Sequence, residues 1–317
     1  MNIYSCIDNK NIDKILVLFY SCYINCSQKE KLKFYLLVEN DFDYHQLEIP
    51  KILKDILFIK SLNYHELEKS GWTDIISDFN KYFYIQGSKC KHIMNFARFF
   101  IFKFFPEINR AIYLDWDMIV EDDIYRLLSY YNSDNLVVAE PSRGIFYTLC
   151  GNIGNLKKEE VFFLKIKKDH IFRSQIQKVK AINYKKSILN KYNKIIKKFT
   201  NIDNASSNKS FNAGFYIVSR DTFNENKLQT LILKLNEEQK NNKSFRFGTQ
   251  VIMNLMSINK IEFIDKKWNN TPTQNNYISH WQGLDKPWNS KDPKWMKYYN
   301  ELKKSNQYNI NEFISNT

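Results

Sequence analysis

Short apolar runs punctuate this chain, separated by polar turns and by stretches whose apolar residues recur at helical spacing. Ile3 to Ile7 is the first run and reads as a buried strand. Asp13 follows as a helix cap, ahead of Ile15, Leu16, Leu18 and Phe19 at helical spacing. Lys33 to Val38 predicts a second strand and Ile56 to Ile59 a third. A strand–helix–strand opening of this kind predicts an α/β fold with a largely parallel sheet.

Further along, 88–105 has the periodicity of one helix, with Ser88 as its cap and Pro106 just past its end. Ile93, Met94, Ala97, Ile101, Phe104 and Phe105 give it apolar faces. Arg98, in its middle, reads on spacing alone as a surface residue. Ala111 to Leu114, Leu136 to Ala139, 211–219 and Ile261 to Ile264 read as strands, and 228–235 and 249–256 as helices. Between them, 156–200 is thick with lysine, with Ile176, Val179, Ile188, Ile195 and Ile196 interspersed. It predicts one or two amphipathic helices, a basic insertion spanning about 156–205, with 201–210 as a polar linker. From 289 to 317 the chain reads as a polar, basic and aromatic tail. There is no internal repeat.

The chain has 317 residues, long for one domain but within the range of large α/β units, and 44% of them are hydrophobic, enough for a substantial core. Charge narrows the partners. A formal net charge of +13 suits nucleic acid, an anionic membrane surface or an anionic substrate, and does not choose among them. The five cysteines are odd in number and form no C-x-x-C. A zinc site or a disulfide framework is therefore disfavoured, and reduced, buried thiols are the simpler reading. No signal peptide is apparent at the N-terminus, and the run Ile15 to Tyr20 is too short to span a bilayer. The expected location is the cytoplasm, either free or peripheral at a membrane.

The chemistry gathers at a few places. Tyr113 to Val120 (YLDWDMIV) ends an apolar run in two carboxylates separated by a tryptophan. On an extended strand, Asp115 and Asp117 would project to one side. Two like charges there raise each other's pKa unless a cation lies between them, and such a pair can hold a divalent ion. The alternative is a solvated turn. His280 offers a third ligand nitrogen. It is followed by Gly283, whose backbone could approach a phosphate closely, and by Lys286, a point charge suited to phosphate. Asn212 and Gln250 could hydrogen-bond sugar hydroxyls, or be ordinary surface amides. Gly214 could simply relieve crowding in a strand.

Taken in order, YLDWDMIV (113–120), FNAGFYIVS (211–219) and HWQGLDKPW (280–288) resemble the family 8 retaining glycosyltransferases. That family includes bacterial lipopolysaccharide and lipooligosaccharide sugar transferases and glycogenin. The similarity runs from about Asn2 to Trp288. It implies a GT-A fold over 1–288, a Rossmann-like nucleotide-sugar-binding domain with a central mixed, mainly parallel sheet. It implies a UDP-sugar donor, UDP-galactose or UDP-glucose, with Mn²⁺ (or Mg²⁺ in its place) and a glycan or glycolipid acceptor. Carried over by position, Asp115, Asp117 and His280 hold the metal. Cys6, Ile7 and Asp8 lie in a first-strand loop around uracil and ribose. Arg98 and Trp116 join the donor site. Asn212 and Gln250 contact the sugar, and Gly283 and Lys286 the diphosphate. The set nearest the reaction is Asp115, Gln250 and Lys286. Two positions depart from the family. Thr249 stands where an acidic residue usually precedes the glutamine, and the usual tyrosine of the first loop falls on Asn11 or Lys10.

The resemblance implies transfer with retention of configuration, by same-face attack or through a covalent intermediate. Gln250 is a poor nucleophile, which favours same-face attack. Two other readings stand beside this one. A glycogenin-like protein would glucosylate one of its own tyrosines, of which there are twenty. A non-enzymatic module would use the lysine-rich segment to bind nucleic acid or an anionic membrane. The scarcity of arginine there, and the lack of a nucleic-acid motif, disfavour nucleic acid.

Overall fold

The computed structural model describes residues 1–8, 11–42, 48–82, 93–140, 190, 193–200, 209–241, 248–283 and 285–305, and the backbone of 84–85, 88–89, 242 and 306–314. Its strands are β1 (Asn2–Ile7), β2 (Lys33–Val38), β3 (Leu57–Ser61), β4 (Tyr84–Ile85), β5 (Ser88–Lys89), β6 (Arg110–Leu114), β7 (Met118–Val120), β8 (Leu136–Ala139), β9 (Phe215–Ser219), β10 (Ile261–Ile264) and β11 (Ile278–His280). Seven of them form one sheet in the order β10-β8-β9-β6-β1-β2-β3. The pairs β1/β2, β1/β6, β2/β3 and β8/β10 are parallel, while β9 runs antiparallel to both neighbours. The fold is thus α/β with a mixed, mostly parallel sheet, as expected. Apart from the sheet, β7 pairs antiparallel with β11, and β4 with β5.

The pleat sorts the strand residues to two cores. Tyr4, Cys6, Tyr35, Leu37, Ala111, Tyr113 and Tyr216 face one side. Ile3, Ile7, Phe34, Leu36, Ile112, Leu114 and Phe215 face the other. Both faces of β1, β2, β6 and β8 are buried, which is why these strands read as continuous apolar runs rather than as alternation. Helices Trp72–Tyr82, Glu225–Asn242 and Thr249–Ser257 contribute to the first core. The Ile12–Ile24 helix and a helix over Pro293–Ile314 cover the second.

Three local expectations need correction. Asn11, not Asp13, occupies the cap position of the first helix, and its side chain makes no cap bond; Asp13 lies in the first turn, where its charge suits the helix dipole. The single helix expected over 88–105 is replaced by β5 and two short helices, Met94–Ala97 and Ile101–Phe104. The reason is the aromatic load: Phe96, Phe99, Phe100, Phe102, Phe104 and Phe105 are all buried, and one straight helix facing a sheet would turn some of them outward. The 211–219 run is strand only from Phe215, with a turn before it. In the basic aromatic tail, Trp295, Tyr298 and Leu302, spaced three and four apart, are buried against the core.

Most of the lysine-rich insertion falls outside the described residues, as does 141–155. Residues 193–200 are helical, with Ile195 and Ile196 buried, in keeping with an amphipathic helix there. No helix among the described residues is long and apolar enough to cross a membrane.

Phe19 is fully buried and stacks on Phe34 with ring centroids 4.7 Å apart. Phe19→Ala should lower stability by about 3–5 kcal/mol, measured as the shift of the urea unfolding midpoint. A loss under about 1 kcal/mol would show that this helix does not close the second core.

Candidate active site

The sheet's architecture brings one group of polar side chains to a single edge. Strands β1 and β6 run parallel, with Tyr4 opposite Tyr113, so Asp8 and Asp115 both leave at their carboxyl ends. Ligands of open α/β sheets collect at such an edge. Asp115-Trp116-Asp117 forms a turn between β6 and β7, not an extended strand. The expectation that the pleat aligns the two carboxylates is therefore corrected: the turn and its partners bring them together. The Asp115 N–H donates to the Gly214 carbonyl (2.8 Å), and the Trp281 N–H to the Asp117 carbonyl (3.2 Å). Because β7 pairs with β11, His280 sits opposite Met118, beside Asp117. His280 Nε2 lies 3.3 Å from Asp117 Oδ1 and 3.8 Å from Asp115 Oδ2. One ligand atom from each of Asp115, Asp117 and His280 falls within 4.8 Å of the others. The convergence expected from the sequence is present.

Each carboxylate is held by further groups. Asp115 Oδ1 accepts from the Tyr113 hydroxyl at 2.6 Å and from Arg98 Nη2 at 3.3 Å, which leaves Oδ2 toward His280. Arg98 also donates to the Ala213 carbonyl at 2.8 Å and lies 4.6 Å from the centre of the Tyr113 ring. With 12% of its side chain exposed, it is buried beside the candidate site rather than on the surface, and its reading from spacing alone is corrected. Asp117 is buried, and its Oδ2 accepts from the Lys286 ammonium, which also donates to the Trp281 carbonyl at 3.1 Å. Burial pushes the Asp117 carboxyl up, but His280 and then Lys286 outweigh it and hold the pKa at about 2.

The 211–214 turn closes the site from β9. Asn254, fully buried, clamps Phe211 at both backbone groups, each at 3.0 Å. Asn212 Oδ1 accepts from the Gly214 N–H at 2.9 Å, and Gln250 Oε1 from the Ala213 N–H at 3.3 Å, so both expected amides lie at this turn. Gly214 does more than relieve crowding. A Cβ there would collide with His280 Cε1 and lie 2.9 Å from both Asn212 Oδ1 and Asp115 Oδ2. Gly283 has φ 102°, a conformation that favours glycine. Trp116 stacks on Trp288, with centroids 4.6 Å apart. Cys6 and Ile7 lie inside β1 rather than in a loop, and their side chains are buried on opposite faces of the sheet. Only Asp8 reaches the edge, where its carboxylate accepts from the Asn11 amide at 2.7 Å.

Sequence reasoning passed over Tyr113, Asn254 and Asn269. The Tyr113 hydroxyl hides in an apolar strand pattern, Asn254 lies within an apolar helical run, and Asn269 stands in a polar stretch beside Asn270, so none of them carries a local signal. Asn269 touches His280 directly, with Oδ1 2.8 Å from Nδ1.

The family model described as glycosyl transferase family 8 matches residues 2–292 of this chain. The chain belongs to this family. Among solved structures, the galactosyltransferase LgtC, in complex with donor and acceptor sugar analogs, is similar at 13% identity and TM-score 0.57, with 95% of each chain covered. The bifunctional glycosyltransferase WbbM is similar at 14% identity and TM-score 0.51, covering 96% of this chain and 51% of that one. Mouse xyloside xylosyltransferase 1 is similar at 10% identity and TM-score 0.50, covering 89% and 98%. These likenesses bear on the fold, which is that of a GT-A glycosyltransferase. No curated protein matches the chain significantly in sequence. Within this glycosyltransferase family, two carboxylates and an imidazole at the sheet's carboxyl edge form the candidate active site.

The Asp117 carboxyl also sets a pH dependence. Its folded pKa of about 2 lies below the ordinary 3.8. Its ionised form therefore stabilises the fold above the unfolded value, and that contribution is lost as pH falls from about 4 to 2. In Lys286→Met one of the lowering charges is gone, so the Asp117 carboxyl should titrate above about 2, read by carbon NMR of labelled aspartate. An unmoved titration would show that Lys286 does not hold this carboxylate in solution.

Proposed function

We propose that this family 8 glycosyltransferase moves a hexose, galactose or glucose, from a UDP-sugar to a glycan hydroxyl with retention of configuration, and that it depends on a divalent ion, Mn²⁺ or Mg²⁺. The observation that carries the reading is the convergence of Asp115, Asp117 and His280 within 4.8 Å at the carboxyl edge of the sheet. Two carboxylate oxygens and an imidazole nitrogen form a donor set that fits such an ion. When bound, the ion supplies Lewis-acid neutralisation of diphosphate charge.

The chain's own residues supply the rest. Lys286, a compact charge beside Asp117, would stabilise negative charge on the departing diphosphate. Gly283, without a side chain and at positive φ, lets backbone approach phosphate. Asp8, with the backbone of Cys6 and Ile7, would line the nucleoside end; Trp116, fixed against Trp288, would form a wall between it and the acidic pair. Asn212 and Gln250 would hold the sugar's hydroxyls. Both are amides and poor nucleophiles, which supports same-face attack over a covalent intermediate. Arg98 would hold the Asp115 carboxylate in orientation.

The acceptor is proposed to be a glycan or glycolipid. The lysine-rich insertion, with the exposed Lys297, Lys303 and Lys304 of the C-terminal helix, suits an anionic membrane surface. Cys6, Cys22 and Cys26 are free and buried, which suits a reducing cytoplasm.

A panel of UDP-sugars assayed for Mn²⁺-dependent UDP release tests the donor. UDP-galactose or UDP-glucose should be consumed, with product configuration read by NMR. Asp115→Ala should abolish the divalent-dependent turnover while leaving the unfolding transition cooperative; unchanged transfer would remove Asp115 from the site. Lys286→Ala should lower kcat more than it raises KM, since its role is placed in the transition state. Intact mass after incubation with UDP-glucose and Mn²⁺ separates an external acceptor from self-glucosylation, which would add hexoses to the chain.

A further inference from the structure

His280 can serve as a ligand through Nε2 only if that nitrogen presents a lone pair, and a neutral imidazole carries its proton on one nitrogen or the other. Something must decide which. The Nδ1 side of His280 meets a single side chain oxygen, Asn269 Oδ1, at 2.8 Å. An amide could present either its oxygen or its NH₂ there. The orientation is fixed from behind: Asn269 Nδ2 donates to the Asn212 carbonyl at 3.2 Å and to Asn212 Oδ1 at 3.3 Å. Turning the amide over would set its oxygen against two acceptors and its NH₂ against His280. Asn212 is in turn held by its own bond from the Gly214 N–H. The chain of contacts therefore runs from the 211–214 turn, through Asn212 and Asn269, to the far nitrogen of the imidazole.

We propose that Asn269 is a positioning residue that keeps the His280 proton on Nδ1 and so commits Nε2 to the site formed with Asp115 and Asp117. Asn269 follows a short 3-10 helix, Lys266–Trp268, whose Trp268 is buried. Its backbone neighbour Asn270 accepts the His280 N–H at 2.8 Å. The same loop thus sets both the backbone and the ring of His280. Partners of this kind on a ligating histidine are worth roughly 10–100-fold in metal affinity.

This inference rests on the proposed divalent-ion reading, and the experiment separates the two. Three proteins are compared: the full chain, Asn269→Asp and Asn269→Leu. Aspartate still accepts a hydrogen bond from Nδ1–H but cannot donate to Asn212; leucine does neither. Histidine nitrogen NMR on the metal-free proteins, followed upward in pH to the neutral ring, should show His280 protonated at Nδ1 in the wild type and in Asn269→Asp. In Asn269→Leu the neutral ring should move to the Nε2–H form, which can donate to Asp117. Mn²⁺ titration, read by the electron paramagnetic resonance signal of the free ion, should then show affinity reduced about 10–100-fold in Asn269→Leu and retained within about threefold in Asn269→Asp. A wild-type ring protonated at Nε2 would overturn the proposal. So would equal loss in both variants, the mark of a merely structural asparagine, or wild-type affinity in Asn269→Leu. If the wild type binds no Mn²⁺ at all, the ion reading fails, and the proton's position still decides the role of Asn269.

Discussion

Two acidic side chains set close together at the end of a buried strand repel each other, and the surrounding structure answers that repulsion. Asp117 is buried and Asp115 only partly exposed, so water screens them poorly. Arg98 and the Tyr113 hydroxyl take one oxygen of Asp115, and Lys286 takes one oxygen of Asp117. The two remaining oxygens, Asp115 Oδ2 and Asp117 Oδ1, both face His280 Nε2. Every neighbour of the pair is thereby sorted: cations and a hydroxyl on the outer oxygens, an imidazole between the inner ones. A site so arranged is specific about what may enter it, because only a positive centre lowers the energy of both inner oxygens together.

The scaffold that holds this geometry reaches well beyond the sheet. The β7/β11 pair carries Asp117 and His280 at the same end, and it is braced by the C-terminal helix. Lys294 bonds Glu121 at 2.7 Å, and Glu121 also takes the Ser279 hydroxyl. Trp281 donates to Asp292 at 3.1 Å. Asn25, at the end of the first helix, donates to the Val120 carbonyl at 2.8 Å and to the Tyr298 hydroxyl at 2.9 Å. The helix that reads as a tail is therefore tied to the strand pair that presents two of the three converging groups. On the opposite side, β9 delivers the 211–214 turn, and Gly214 leaves room for the imidazole where any side chain would intrude.

How much of this was legible follows from the range of the forces involved. The inner strands were readable because both faces are buried, so Ile3 to Ile7, Phe34 to Val38 and Leu136 to Ala139 stand out as apolar runs. The converging trio was readable because Asp-x-Asp and the His-Gly-Lys-Pro-Trp spacing are local patterns. The broken 88–105 segment was not, since its apolar period is helical and only the packing of six phenylalanines interrupts it. The C-terminal helix carried a visible signal, Trp295, Tyr298 and Leu302 at three- and four-residue intervals, which its lysines obscured. Arg98 shows the limit most clearly. Spacing alone makes it a surface cation, and its partners, Ala213 and Asp115, sit in turns 115 and 17 positions along the chain that only the fold brings to it. Asn269 is the same case: eleven positions before His280, it acts only through tertiary contact.

The charge arithmetic of the site bears on how a donor would be received. Asp115 and Asp117 carry two negative charges, and Arg98 and Lys286 carry two positive ones, so the cluster is balanced as it stands. A divalent ion alone would bring two charges into a balanced, partly buried site, where excess charge is costly. A nucleoside diphosphate alone would bring negative charge beside two carboxylates. Brought together, the two restore balance, and each lowers the cost of the other, a coupling that is reciprocal by linkage. On the proposed reading, Lys286 would be the movable part of this balance. Its flexible stem and single charge allow the ammonium to shift between Asp117 and an incoming phosphate, whereas Arg98, pinned between the Ala213 carbonyl and Asp115, cannot follow. On the proposed reading, lysine at 286 and arginine at 98 are therefore not interchangeable: one cation must travel with the leaving group, and the other must stay to hold the first aspartate in place.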